Sequence, residues 1–157
     1  MKKFELTNEF ITNRFGTKLF RIRALVEFGD VEAGELGGYV EKESNLGHDD
    51  NAWVYDNAWV YGNAQVSGNA RVYGNARVCG NVLVCGNAWV CGNAWVYGDA
   101  QVSGDARVYG DAQVSGDARV CGDARVCGNG DYAYAHGFGS VNRTTTFFRL
   151  KDGGVGV

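Results

Sequence analysis

His48 and His136 are the two imidazoles of this chain, and so its readiest general bases near neutral pH. Neither lies in the repeated half of the sequence. His136, in Tyr134-Ala135-His136-Gly137, is the better candidate of two weak ones, and a surface or cap histidine is the plainer expectation for both. Aromatic and basic side chains, by contrast, recur at a fixed interval. Trp53, Arg71, Trp89 and Arg107 are spaced by eighteen residues, and Arg125 continues the row. Trp59, Arg77, Trp95 and Gln113 form a second row with the same spacing, and Gln65, Leu83, Gln101 and Arg119 a third. Tyr55, Tyr61, Tyr73 and Tyr97 each follow two residues after a row position. A guanidinium one rung from an indole is well placed for cation–π stacking. The rows therefore suggest a flat platform for a protein partner, a sugar or a nucleobase, because contiguous exposed Trp and Tyr imply something that covers them. The competing expectation is a ladder that only stabilises the fold, or a face hidden by the chain's own terminal hairpins.

Two other columns carry reactive groups. Cys79, Cys85, Cys91, Cys121 and Cys127 occupy one slot of the repeat, just after its Val. Their spacing fits no zinc pattern. Partners in one column are two rungs apart, roughly 10 Å at the usual strand spacing, which is beyond disulfide reach. Free thiols in a reducing compartment are expected. At the corners, Asn gives way to Asp at Asp99, Asp105, Asp111, Asp117 and Asp123. Stacked carboxylates roughly 5 Å apart repel, and solvated corners offset by Arg107, Arg119 and Arg125 are the expectation. No metal site is expected.

The element that must position all of these is one motif. Thirteen consecutive hexapeptides, residues 51–128, read Asn/Asp-Ala-x-Val-x-Gly or one step from it. Ala-x-Val-x alternates with period two, so Ala and Val point one way and the x residues the other. Gly followed by Asn or Asp is turn chemistry. Each unit is one flat side and one corner. Three sides close a triangular prism with Val in its centre, and a period this strict and short is the mark of a solenoid. All thirteen Val positions are kept, and only Val82 replaces Ala.

This pattern, an aliphatic residue at every sixth position with a small residue two before it, resembles the hexapeptide-repeat family. The resemblance implies an all-β fold, a single-stranded left-handed parallel β-helix with three repeats per turn. Left-handedness comes from the resemblance and runs against the usual crossover preference. The segment Ala33-Gly34-Glu35-Leu36-Gly37-Gly38-Tyr39-Val40-Glu41 and the Thr144-Thr145-Thr146-Phe147-Phe148 run are similar to uncharacterised bacterial and phage repeat proteins, commonly labelled transferases or polymer-forming proteins. Enzymes of the family are often acyl- or nucleotidyltransferases. The acyltransferases use a His as base and are often trimers with sites between subunits, so the resemblance brings acetyl-CoA in as a cofactor only under that alternative.

Residues 1–50 are expected to be an N-terminal β cap with an irregular first turn. Within them Lys18 to Phe28 is strand-like, Lys3 to Leu6 is able to pair with it, and Val40 to Leu46 makes a six-residue step into the prism. Residues 129–157 are expected to be a C-terminal cap with a β-hairpin, Thr144–Leu150 as a strand and 151–154 as a turn. Caps are needed because an open solenoid end exposes unpaired strand edges. The formal net charge of -3 gives no basic tilt toward nucleic acid. No apolar run approaches membrane-spanning length, and no apolar stretch follows Lys2 and Lys3 as a signal peptide would require; a cytoplasmic protein is expected. The composite reading is a non-enzymatic scaffold or binding protein that uses the outward Trp, Arg and Tyr columns for a partner or for self-association. The alternatives are a coenzyme A-dependent acyltransferase and a phage-type nucleotide sponge.

Overall fold

A computed structural model describes residues 1–128 throughout and, beyond them, the backbone of three strands. The N-terminal part forms β1 (Phe4–Thr12), β2 (Lys18–Ala24) and β3 (Leu36–Val40). Thirteen two-residue strands follow, β4 to β16, each the x-Val pair of one hexapeptide, from Trp53–Val54 to Arg125–Val126. The last three are β17 (Tyr132–Phe138), β18 (Arg143–Arg149) and β19 (Val155–Gly156).

The repeats wind into a left-handed parallel β-solenoid with three flat faces. Each of β4 to β13 pairs in parallel with the strand three units on: Trp53 with Arg71, Trp89 with Arg107, Trp95 with Gln113, Gln101 with Arg119. One turn is therefore eighteen residues, as the row spacing predicts. The backbone ladder is regular because each x residue's N–H donates to the Ala carbonyl of the next turn, as from Trp89 to Ala106 at 2.9 Å. The Val column fills the centre and is 0–1% exposed throughout, with the Ala residues equally buried beside it. Burying one Val contributes about 1.5–3 kcal/mol, and thirteen copies make one continuous core.

The corners need glycine for two reasons at once. Gly80 has φ +86, the left-handed region, and a Cβ there would lie 2.7 Å from the Gly98 carbonyl oxygen of the next turn. A single corner departs from this rule: Asp56 has φ 53, and it is the sole non-glycine with positive φ among the described residues. Next to the glycines the Asn side chains form ladders. Asn51 Nδ2 donates to Asn69 Oδ1, Asn69 to Asn87, and Asn87 to Asp105 at 2.9 Å. Two more rows end the same way, on Asp99 and Asp111. The first Asp of each row is thus the terminal acceptor of an amide chain rather than only a solvated charge.

The N-terminal segment is built onto one face of the prism. β3 pairs in parallel with the Trp59 strand, placing Tyr39 beside Trp59 and Val40 beside Val60. β2 then pairs antiparallel with β3, and β1 antiparallel with β2, so this face carries a seven-stranded sheet. The expected step from Val40 to Leu46 into the core is present, with Leu46 bridging to Val66. β1 runs to Thr12, well beyond the Lys3–Leu6 stretch expected to pair. The open end of the prism is plugged by Trp53, fully buried beneath Phe4 and Phe28 at ring-centroid distances of 6.1 and 5.3 Å. Lys3 is also buried there. Its Nζ donates to the Asp50 and Ala52 carbonyls at 2.8 and 2.9 Å, and burial holds its pKa below the usual lysine value.

At the other end β18 pairs antiparallel with β17 and β19 and lies against β15 and β16. Of the strand expected at 144–150, β18 covers 144–149 and pairs with Val155–Gly156; residue 150, the turn expected at 151–154 and residue 157 lie outside the described residues. β17 adds a strand that the sequence reading left out, although Tyr132-Ala133-Tyr134-Ala135-His136 alternates with period two.

Candidate functional site

The fold sets the side chains of each row one rung apart. On the face that begins with Trp53, the Trp89 indole lies between two guanidiniums, with Arg107 Cζ 4.5 Å and Arg71 Cζ 6.0 Å from the ring centroid. Tyr73 meets the same indole edge-on at 6.1 Å and 75°. On the next face Arg77 lies 4.4 Å over Trp59. The expected Trp/Arg stacking is therefore present on both faces. Trp53 does not share in an exposed row, contrary to expectation, because the N-terminal rings close over it. Its Nε1 is buried without a partner among the described residues.

Two cavities open on the Trp89 face, and Trp89 and Tyr73 wall both. The first, about 230 Å³, is completed by Asp30, Tyr55, Asp56 and Arg71. Asp30 Oδ1 receives both the Arg71 guanidinium and the Tyr55 hydroxyl at 3.0 Å. Burial first, and then Asp30, raise the Tyr55 pKa well above the ordinary tyrosine value, so it stays a donor. Asp56 Oδ2 accepts from the Gly74 N–H at 3.0 Å. The second cavity, also about 230 Å³, is completed by Cys91, Arg107, Tyr109 and Arg125. Here burial, and then hydrogen bonding with Cys91, push the Tyr73 hydroxyl up to about 12. The two hollows differ in charge: two carboxylates and one guanidinium on one side of the indole, two guanidiniums on the other.

The Trp59 and Trp95 face is occupied differently. The β1–β2 hairpin bends down over it. Ile11 walls a cavity with Tyr39, Trp59 and Arg77, and Arg14 Cζ stands 5.7 Å from the Trp95 ring. Glu9 accepts from the Tyr39 hydroxyl at 3.1 Å, and Arg21 donates to it at 3.0 Å, fastening the hairpin's base. Cys79 is buried beneath this face and accepts from Trp95 Nε1 at 3.5 Å. Burial, and then Cys79, raise the Tyr61 pKa to about 12. Trp95 and Tyr97 pack against each other at 4.9 Å.

His48 lies in the cap, stacked on Phe4 at 4.4 Å, and its Nδ1 accepts from the Lys3 N–H at 3.2 Å. His136 falls in β17, where its side chain lies outside the described residues. Cys79, Cys85, Cys91 and Cys121 are free thiols. Among the described residues no group of three His, Cys, Asp or Glu is placed to hold a metal, and no helix is long and apolar enough to cross a membrane. Sequence reasoning missed Asp30, Asp56, Arg14 and Ile11. Asp56 had a signal, being the one unit whose sixth residue is not Gly. The other three lie outside the repeat, where no period places them.

The family match falls within the array. Five overlapping stretches, residues 64–80, 76–92, 88–104, 100–116 and 112–128, match the YdcK β-solenoid repeat family. A curated relative from Escherichia coli (strain K12), named "Uncharacterized acetyltransferase YdcK", is 37% identical over 62 residues, 35% of this chain and 19% of the relative. The chain thus matches about a fifth of that protein's length.

Proposed function

Because its array is a hexapeptide-repeat β-solenoid of the YdcK-like family, we propose that this chain is the solenoid of a coenzyme A-dependent acyltransferase and that it holds the acyl donor on the Trp89 face. Such a solenoid is a surface for binding a ligand or a partner, or for self-association. The observation that carries the reading is the second cavity, where Arg107 and Arg125 stand beside Trp89, Tyr73 and Tyr109. Coenzyme A presents phosphates and an adenine, and guanidiniums with flat rings suit both. The name of the E. coli relative supports the class of reaction. The base remains the sequence's candidate, His136, since His48 already accepts a backbone hydrogen bond through Nδ1. Acetyl-CoA titrated into the full chain, followed by calorimetry, is expected to bind saturably and to lose about tenfold in affinity in Arg125→Gln. Turnover with His136→Ala is expected to vanish while binding stays. A chain that ignores acetyl-CoA at millimolar concentration sinks this reading.

A second reading, the non-enzymatic scaffold, is favoured by one contact. The hairpin arginine Arg14 lies at Trp95 on an Arg/Trp row, so such a row is able to receive a polypeptide. Phe15 beside it is 69% exposed. Native mass spectrometry separates the two readings. A ladder of oligomers indifferent to acetyl-CoA supports the scaffold, and ATP in the same experiment tests nucleotide storage.

A further inference from the structure

The first cavity differs from the rest of the array in ways that point to one ligand chemistry. Its lining includes three aromatic rings, Tyr55, Tyr73 and Trp89; Trp89 already lies between Arg71 and Arg107, so the rings offer wall for an apolar body and the carboxylates offer the charge. Its two carboxylates are each half used. Asp30 receives Arg71 and Tyr55 on the same oxygen, Oδ1. Asp56 gives Oδ2 to the Gly74 N–H. Asp30 Oδ2 and Asp56 Oδ1 take no hydrogen bond from the described residues, and a single guanidinium, Arg71, lines the hollow with these two carboxylates. Asp56 also stands where the other twelve units have glycine, and it holds φ 53. A non-glycine there costs about 1 kcal/mol or more, and the fold's return is one exposed hydrogen bond, from the Gly74 N–H to Oδ2.

We propose that the hollow between Asp30, Asp56 and Trp89 binds the primary ammonium group of a small molecule with an apolar or aromatic body. The ammonium sits between the two free carboxylate oxygens, and the body lies against the Trp89 and Tyr73 rings. This deepens the acyl-transfer reading and rests on it in one respect: it names the acceptor as a primary amine, on the opposite side of Trp89 from the donor's phosphates. In the transfer the amine nitrogen bonds the acyl carbon and the carbon–sulfur bond breaks. The ammonium first loses one proton to the base, which passes it to solvent, and the departing thiolate takes the second as the amide forms. The binding itself does not depend on any transfer.

The test uses the full chain, 2-phenylethylamine, and 2-phenylethanol as its neutral isostere. Binding is read from Trp fluorescence and by calorimetry. The amine is expected to bind at least about fivefold more tightly than the alcohol. Asp56→Gly restores the corner residue of the other units, so it folds, and it is expected to remove that preference while binding of the alcohol is unchanged. Equal binding of amine and alcohol, or an amine preference that survives Asp56→Gly, overturns the inference. Acetyl-CoA titrated in parallel keeps the two ideas apart. Amine binding without acetyl-CoA binding leaves the inference standing and removes the acyl-transfer reading. Acetyl-CoA binding without amine preference does the reverse.

Discussion

Two faces of the prism are built from nearly the same hexapeptides and meet different fates. The face of Trp59, Arg77 and Trp95 receives β3 as an extra rung, and the hairpin that follows bends over it, with Ile11 and Arg14 against the indole row. The face of Arg71, Trp89 and Arg107 receives no strand from the cap beyond the contacts that bury Trp53 and the arm of Asp30. Two hollows lie there, walled without the hairpin, whereas the hollow on the Trp59 face is walled in part by Ile11. The repeats do not make this difference. The column onto which the non-repetitive N-terminal strands pair decides which row lies under the hairpin, while Trp59, Trp95 and Trp89 are alike half-buried. Partial cover by a terminal hairpin, one of the two expectations for the rows, is seen on the Trp59 face; a platform for a partner stays a proposal.

The strongest way to break the comparison is within the Trp53 row itself. Trp53→Ala empties the plug at the end of the prism and is expected to destabilise the chain by about 3–5 kcal/mol, read as a large fall in the urea midpoint. Trp89→Ala, in the same column two rungs away, is expected to cost about 1 kcal/mol or less, since its indole is half-exposed. Equal losses would mean that the outer row also is packing. Trp53→Phe should fall between them, because it removes an indole N–H that has no partner.

A middling effect is expected from the hairpin. Arg14→Ala removes the guanidinium over Trp95 and should cost about 0.5–1 kcal/mol. Its sharper readout is access. Acrylamide quenching of Trp95 should increase, measured in a background where Trp59 and Trp89 are Phe, while Trp89 alone in the matching background should not change. No change at Trp95 would show that the hairpin does not shield this face.

The smallest effect concerns corners shared by all faces. Asp105→Asn converts a terminal acceptor into a ladder member able to donate to Asp123, the residue eighteen positions on. It also removes one of two stacked carboxylates. Stability should rise by about 0.2–1 kcal/mol, visible as a small increase in thermal midpoint. A fall would show that the Asp rows have a role beyond closing the amide ladders.

Much of the molecule was legible in its residues. Val at every sixth position, Ala two before it and Gly at the corner specify strand, core and turn together. The eighteen-residue turn follows, and with it the pairing of Trp89 with Arg107 and of Trp59 with Arg77. Those are short-range regularities, and a repeat that buries its apolar side only against identical neighbours leaves one way to stack. The candidate site was legible in part, since the rows were readable but Asp30, Asp56, Ile11 and Arg14 were not weighed. The sequence by itself therefore determined the prism, its core and the order of side chains along each face. The tertiary structure alone decided that Trp53 is buried while Trp89 is half-exposed, that Asp30 reaches Arg71 from forty-one residues away, and that the hairpin bends over one face. Those outcomes depend on where non-repeating strands find unpaired backbone and exposed rings, and no local period encodes that choice.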